Sequence, residues 1–494
     1  MNRLRSLAIP AGPLLALLVD VLLASEPSLT REARATIAVA SLMALWWLSE
    51  AIPLEATALV PLALFPLLGI GTIRQAAAPY ADETIFLFMG GLFLSLAMER
   101  WGLHKRIAFL ALFLFGRSPS RVVLALLACA AGLSMWTSNT ATCAMMLPIA
   151  ASLVASVLAD ARSDERSARN FATCAFLAIA YGSTLGGVGT LIGTPPNVFM
   201  AAHLRRAGIE LSFGRWMLVG VPLCLAALPL VWITLTRLAL PFKDRDLPDI
   251  TPVLRAERAA FLTLPSRGEW SVFIVFSLTA LAWILRVPLA NAFGFVAVAP
   301  DGTRTPLLTD PGIAILASLA LFLLPVSLKR REFVLDWPTA SRLPWGVLVL
   351  FGGGLSLADA IVRHNVDDFI ALQFQALHGV PTWLVVLTLA ASVVFLTELV
   401  SNTAVAQTFI PVVAALAVSL GHRPEIFVVP VALAASYAFM LPMGTPPNAL
   451  VFASGKVRIA QMARAGLLLN LLSIVLITLA TLLLLPLAIP PRAE

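Results

Sequence analysis

The sequence predicts an all-α integral membrane protein of about eleven transmembrane helices and two re-entrant hairpins, arranged as an inverted-topology repeat. Three observations carry that prediction. First, 59% of the 494 residues are hydrophobic and 12% are charged, whereas a soluble chain carries about 25% charged residues; mean hydropathy is +0.91. Second, apolar stretches fill nearly the whole length and basic residues collect between them, the pattern of one membrane unit rather than several soluble domains. Third, the chain repeats itself. Ser138-Asn139-Thr140-Ala141 recurs as Ser401-Asn402-Thr403-Ala404, and the same offset of 263 residues carries Gly90-Gly91-Leu92 onto Gly353-Gly354-Leu355 and Ser134 onto Thr397. Gly193-Thr194-Pro195-Pro196-Asn197 recurs 251 residues later as Gly444-Thr445-Pro446-Pro447-Asn448. Several matches in one register mark an internal duplication.

Composition also removes function classes. The net charge of +7 sits in loops between apolar segments, with no basic run interleaved with aromatics, so nucleic acid is not expected as a partner. Cys129, Cys143, Cys174 and Cys224 lie inside apolar stretches without CxxC spacing and read as small core residues. No HExxH, Ser/His or paired-Asp arrangement falls in the spans, which argues against an intramembrane hydrolase or any other enzyme.

In chain order, residues 1–32 form an N-terminal helix. Arg3 and Arg5 followed by an apolar run imitate a signal peptide, but Asp20 interrupts the run and many spans follow, so the helix is expected to stay. Residues 33–240 form the first repeat, with spans near 33–49, 53–71 and 84–99. The apolar piece 107–115 is too short for a core that needs about 20 residues. The stretch 121–158 is apolar except for a polar knot at its middle; it is either two full spans or a hairpin whose tip stops inside the membrane. A helix over 171–200 is broken at Gly193-Thr194-Pro195-Pro196-Asn197, and a span near 216–240 closes the repeat. Residues 241–268, charged and proline-rich, form a cytoplasmic linker. The second repeat, 269–489, has spans near 269–287, 311–325 and 345–362, a hairpin at 381–418, a broken helix at 425–453 and a last span at 463–489.

With both hairpins re-entrant, the count is eleven crossings. An N-terminus inside then puts 23 of the 34 Lys and Arg on the inner side, as the positive-inside bias prefers. The C-terminus is external in that arrangement. The Gly90 and Gly353 spans are an odd number of crossings apart, so the halves are inverted, an architecture typical of secondary transporters.

The repeated motifs suit a small ion and an anion. Gly-Thr-Pro-Pro-Asn unwinds a helix, because proline removes a donor and restricts its predecessor. Unwound backbone at membrane depth is tolerated only where it is buried in protein or lines a polar cavity. Its free carbonyls can hold a cation, and helix N-termini beside it favour an anion. Ser-Asn-Thr adds hydroxyls and an amide, which donate to a carboxylate or ligate a cation. No Lys or Arg lies in either motif, so a bound cation such as sodium would complete the anion site. Glu398 has no partner in the first copy, where Met135 stands. It reads either as a functional intramembrane acid or as a hydrogen-bonded structural one. Asp20, Glu50, Glu55, Glu99 and Asp359 fall near span ends and read as interfacial, as do Trp46 and Trp47.

On Ser138-Asn139-Thr140 with the run on to Pro148-Ile149, Ser401-Asn402-Thr403, both Thr-Pro-Pro-Asn segments, and Trp46-Trp47-x-x-Glu50-Ala51-Ile52-Pro53-Leu54, the chain resembles the divalent-anion/sodium symporter family, which includes solute carrier family 13. The resemblance covers about 40 to 470. It implies a homodimer of eleven-span protomers in the cytoplasmic (inner) membrane, each with a transport domain moving as an elevator against a scaffold. It further implies one sodium site at Ser134, Ser138, Asn139 and a carbonyl near Gly187, and a second at Thr397, Val400, Asn402 and a carbonyl near Gly444, where many relatives carry alanine. The substrate would meet Ser138, Asn139, Thr140, Ser401, Asn402 and Thr403, with Thr445 and Pro446 closing the second side. The expected activity is sodium-driven symport of C4-dicarboxylates such as succinate, malate and fumarate. A sodium-independent dicarboxylate/2-oxoglutarate exchanger, and citrate or sulfate as substrate, are the alternatives. An ion channel is disfavoured, because paired unwound loops make an occludable midplane site.

Overall fold

The computed structural model describes residues 2–115, 118–159, 164–248, 264–298, 304–374 and 377–489. Helices α1 (Asn2–Leu22), α2 (Arg31–Ser49) and α3 (Val60–Leu68) precede α4 (Glu83–Trp101) and α5 (Leu103–Phe115). The first hairpin is α6 (Pro119–Ser134) and α7 (Asn139–Ala159); the broken pair α8 (Glu165–Val188) and α9 (Pro195–Arg206) and then α10 (Phe213–Ile233) follow. The second half opens with α11 (Arg267–Ile284), α12 (Asp310–Leu323), α13 (Trp345–Arg363) and α14 (Val366–Gln373). Its hairpin is α15 (Thr382–Thr397) and α16 (Asn402–Ser419), its broken pair α17 (Glu425–Ser436) and α18 (Pro446–Ala453), and its last long helix α19 (Ile459–Leu483). From α4 to α10 and from α13 to α19 the elements come in one succession: long helix, short helix, hairpin, broken pair, long helix.

Local chemistry sets these boundaries. Thr30, Asp82, Asp164, Ser212 and Thr309 each accept a backbone N–H in the first turn of the helix they precede, and Ser266 and Glu269 form a full capping box on α11. Gly69 and Gly102 end α3 and α4 in the left-handed region, which glycine enters without a Cβ clash.

Among the described residues nine helical stretches are long and apolar enough to cross a bilayer, α7 and α16 included. The first arms of the hairpins, α6 and α15, have 16 residues each, short of a span. The apolar piece at 107–115 is part of α5. Its counterpart α14, whose apolar pattern Asp367 and Asp368 interrupt, is a helix that the sequence pattern does not announce. Two small antiparallel ribbons, β1 (Val296–Val298) with β2 (Arg304–Pro306) and β3 (Pro325–Ser327) with β4 (Glu332–Phe333), also depart from a wholly helical expectation. Most of the predicted linker, 249–263, lies outside the described residues.

The main core centres on α8, whose whole apolar window is buried. Gly182 and Gly186, four apart on one face, let it approach α6. A Cβ on either would stand 2.4 Å from the Leu127 oxygen or 2.0 Å from the Ala131 oxygen, the small-residue contact of membrane helices. The four cysteines are buried within this packing. The halves interlock: α9 packs on α16 and α17, while α18 packs on α7 and α8. A second core joins α2, α3 and α13.

The tryptophan pair does not form the interfacial belt expected of it. Trp47 is fully buried and donates to the Leu54 carbonyl at 3.2 Å. Trp46 donates to the Ala8 and Ile9 carbonyls of α1 at 3.1 and 3.3 Å. Pro13, four residues beyond Ile9, has no N–H to satisfy that second carbonyl, so the indole docks α1 on α2.

Candidate functional site

A cavity of about 640 Å³ is lined by Ser138, Asn139, Thr140, Ser401, Asn402, Thr403, Thr445 and Pro446 together with Gly193, Thr194, Pro195 and Gly444. The tips of both hairpins and both helix breaks therefore meet in one place. Thr194 and Pro195, absent from the expected substrate set, line it as their repeats Thr445 and Pro446 do. Among the described lining residues the one ionisable side chain is Glu50, which the sequence suggested was interfacial.

Four helices, α7, α9, α16 and α18, begin at this cavity, with Asn139, Pro195, Asn402 and Pro446 as their first residues. The prolines suit first-turn positions because the missing N–H has no intrahelical partner there. Ser138 Oγ accepts from Ala141 N at 3.1 Å and Thr445 Oγ1 from Asn448 N at 3.3 Å, which leaves each hydroxyl hydrogen free to donate. A helix N-terminus carries about half a positive charge; four together offer roughly two, without a lysine or arginine in the lining.

Behind the tips lie two oxygen-rich corners. One terminal atom of the Asn139 amide is 2.6 Å from Ser134 Oγ, 3.1 Å from the Ser183 carbonyl oxygen and 3.2 Å from the Gly193 carbonyl oxygen. With nitrogen there, its two N–H bonds are shared among these three oxygens; with oxygen there, four oxygens crowd together, the donor set a hard cation takes. Gly187 sits directly against this amide, where an added Cβ would come within 2.5 Å of it. In the second corner Thr397 Oγ1 is 2.7 Å from Asn402 Oδ1 and 2.9 Å from the Ala435 carbonyl oxygen. Its single proton serves only one of them. Val400 lies in the turn between α15 and α16. Ser134, Gly187, Thr397 and Val400 stand behind the cavity rather than in its lining.

The asparagines of the two Thr-Pro-Pro-Asn segments hold the breaks in shape. Asn197 Nδ2 donates to the Thr190 and Val188 carbonyls at 2.8 and 3.2 Å, and Asn448 Nδ2 to Ala438 and Leu441, both at 3.1 Å. Trp216 Nε1 also donates to Val188 O at 3.0 Å. Some of the carbonyls that unwinding frees are thus already bonded. Glu398, 3% exposed, accepts from the backbone N–H groups of Phe439, Met440 and Leu441 at 2.6, 2.8 and 2.9 Å and from Asn470 Nδ2 at 2.8 Å.

At the mouth, Glu50 closes α2 in the left-handed region, at φ 47° and ψ 42°, and pairs with Arg5 of α1. Glycine is the usual residue there, and a carboxylate at a helix C-terminus also opposes the helix dipole. That double mismatch is the signal by which the sequence could have pointed to Glu50.

The profile of the sodium:sulfate symporter transmembrane region matches residues 8–488. The chain belongs to the sodium:sulfate symporter family. Within this family of multi-pass membrane transporters, the chain is 39% identical over 479 residues to the sodium-dependent dicarboxylate transporter SdcS of Staphylococcus saprophyticus, covering 96% of this chain and 90% of the relative. It is 38% identical over 482 residues to SdcS of Staphylococcus aureus strain USA300, covering 97% and 91%. Among solved structures, the fold of this family member is similar to the YdaH transporter of Alcanivorax borkumensis, at a TM-score of 0.55 and 17% identity over 84% of this chain and 87% of that one. MtrF of Neisseria gonorrhoeae gives a TM-score of 0.57 at 14% identity, covering 84% of each.

Proposed function

We propose that the chain is a sodium-coupled symporter of C4-dicarboxylates such as succinate, malate and fumarate. One observation carries the reading: four helix N-termini and two Ser-Asn-Thr tips meet at one cavity backed by two oxygen-rich corners. The N-termini and the Ser138, Thr140, Ser401 and Thr403 hydroxyls offer donors to two carboxylates. Asn139 and Asn402 stand between cavity and corner, so each amide can face the anion or the ion. Sodium, when bound, supplies positive charge that these neutral side chains lack. Ser134, Asn139 and the carbonyls near Gly187 and Gly193 would hold one ion, and Thr397, Val400, Asn402 and the backbone near Gly444 a second. The sodium-dependent dicarboxylate transporters named above support the choice of ion and anion.

The two halves, 33–240 and 269–489, are proposed to lie inverted in the cytoplasmic membrane, N-terminus inside and C-terminus outside. The hairpins and broken pairs, interlocked through α9 and α18, would move as one body. The second core, built mainly by α2, α3 and α13 and touched by Ala404 of α16, suits a fixed scaffold in a homodimer against which the hairpin tip would slide. Uptake of radiolabelled succinate into proteoliposomes tests the function. An inward sodium gradient should drive accumulation into empty vesicles, with excess unlabelled dicarboxylate competing and sulfate or citrate failing to. Accumulation that needs internal counter-substrate and ignores sodium would identify an exchanger instead.

A further inference from the structure

The two helix breaks differ in length, and Glu398 is where they differ. The first runs from Gly189 to Thr194, the second from Tyr437 to Thr445. In a continuous helix the N–H groups of Phe439, Met440 and Leu441 would close on the carbonyls of Ala435, Ser436 and Tyr437. They bond to the Glu398 carboxylate instead, at 2.6, 2.8 and 2.9 Å. The Ala435 carbonyl is thereby released, and it faces Thr397 Oγ1 at 2.9 Å. The carboxylate also touches the far end of the break, where a Cβ on Gly444 would stand 2.9 Å from Oε2.

Glu398 makes no ion pair with a described cationic side chain. Four N–H groups face its two oxygens, the partner set of an acceptor-only carboxylate, in a buried place. Such a group is costly unless it is hydrogen-bonded, as this one is, and is strongly felt by neighbours where water is excluded. The first half has Met135 at the matching position.

We propose that Glu398 is the positioning residue of the second cation corner: it unwinds α17 one turn early to present the Ala435 carbonyl, and its charge makes this corner the tighter of the two for sodium. The inference rests on the sodium reading above. It implies that the Thr397 corner fills at lower sodium than the Ser134 corner.

The test measures thermal unfolding of the purified full-length protein against sodium chloride, with choline chloride holding ionic strength constant. Wild type should be stabilised by sodium. Glu398→Gln keeps the size but places an amide N–H against a backbone N–H and removes the charge; its sodium midpoint should rise about tenfold or more, equivalent to at least ~1.4 kcal/mol of binding. Asn470→Leu removes a donor but keeps the charge, and should leave the midpoint within about twofold. A lower melting temperature in Glu398→Gln with an unchanged sodium midpoint would overturn the proposal, because the residue would then be a structural clamp alone. Where Glu398→Gln does not fold, Ser134→Ala and Thr397→Ala decide. The sodium response remaining in Ser134→Ala should have the lower midpoint, and the reverse order overturns the proposal. Absence of any sodium response in wild type would remove the sodium reading itself.

Discussion

Gly187→Ala puts the first oxygen-rich corner to the most direct test. The added Cβ would stand 2.5 and 2.9 Å from the two terminal atoms of the Asn139 amide and 3.1 Å from its Cγ. That amide is fixed from its other side by Ser134, Ser183 and Gly193, so relief requires the amide to leave its position. Overpacking of this kind costs ~1–3 kcal/mol, and replacing glycine by alanine inside a helix returns ~0.5–1 kcal/mol. The fold should therefore survive with a modest loss of stability, while the strain falls on the ion ligand. Expressed as binding, ~1–3 kcal/mol is a rise of roughly 5- to 150-fold in the sodium midpoint. Sodium titrations of succinate uptake and of thermal stability both measure it. Gly186→Ala is the control: its Cβ would meet the Ala131 backbone oxygen at 2.0 Å, so it should fail in folding rather than in sodium response. A folded Gly187→Ala protein with a sodium midpoint within about twofold of wild type would refute the assignment of this corner.

Three further outcomes are expected. Asn139→Ala and Asn402→Ala should each abolish sodium-driven succinate uptake while the protein still elutes as a single species on size exclusion; wild-type uptake in both would sink the site. A cysteine at Thr140 should resist a bulky external thiol reagent, the four native cysteines being buried, whereas ready labelling that sodium and succinate do not block would argue that α6 and α7 both cross the membrane. Arg5→Gln strips Glu50 of its partner at a cavity meant for an anion, so the half-saturating succinate concentration should rise. Adding Glu50→Gln should bring it back, and a double variant no better than Arg5→Gln would exclude a charge effect.

The parts of this architecture written in local chemistry were legible in the chain. Proline and glycine mark the helix breaks, and Ser-Asn-Thr inside apolar runs marks the hairpin tips. Helices α6 and α7 run from 119 to 159 and α15 and α16 from 382 to 419, each pair turning at its Ser-Asn-Thr. What stayed hidden depends on distant partners. Trp47 looks like any interfacial tryptophan until the turn to Leu54 folds back over it. Glu398 needs the N–H groups of residues 41 to 43 positions away. Glu50 faces the cavity only because α1 and α2 bring it to the mouth. The α14 helix escaped because two adjacent aspartates break its apolar pattern, although the repeat of α5 at the same offset could have located it.

The exchange of α9 and α18 between the halves bears on how the protein is made. Helix α9 ends at Arg206, and the helices it packs on, α16 and α17, begin at Asn402 and Glu425. At roughly 5–20 residues per second of synthesis, α9 and its unwound lead-in wait on the order of 10–40 s for those surfaces to emerge. During that time the Gly189–Thr194 backbone must lie low in the membrane on its own tethers, the Asn197 amide and the Trp216 indole. These two side chains thus serve the nascent chain before they serve the finished transporter. Weakening them should lower the yield of inserted protein more than the activity of the molecules that mature.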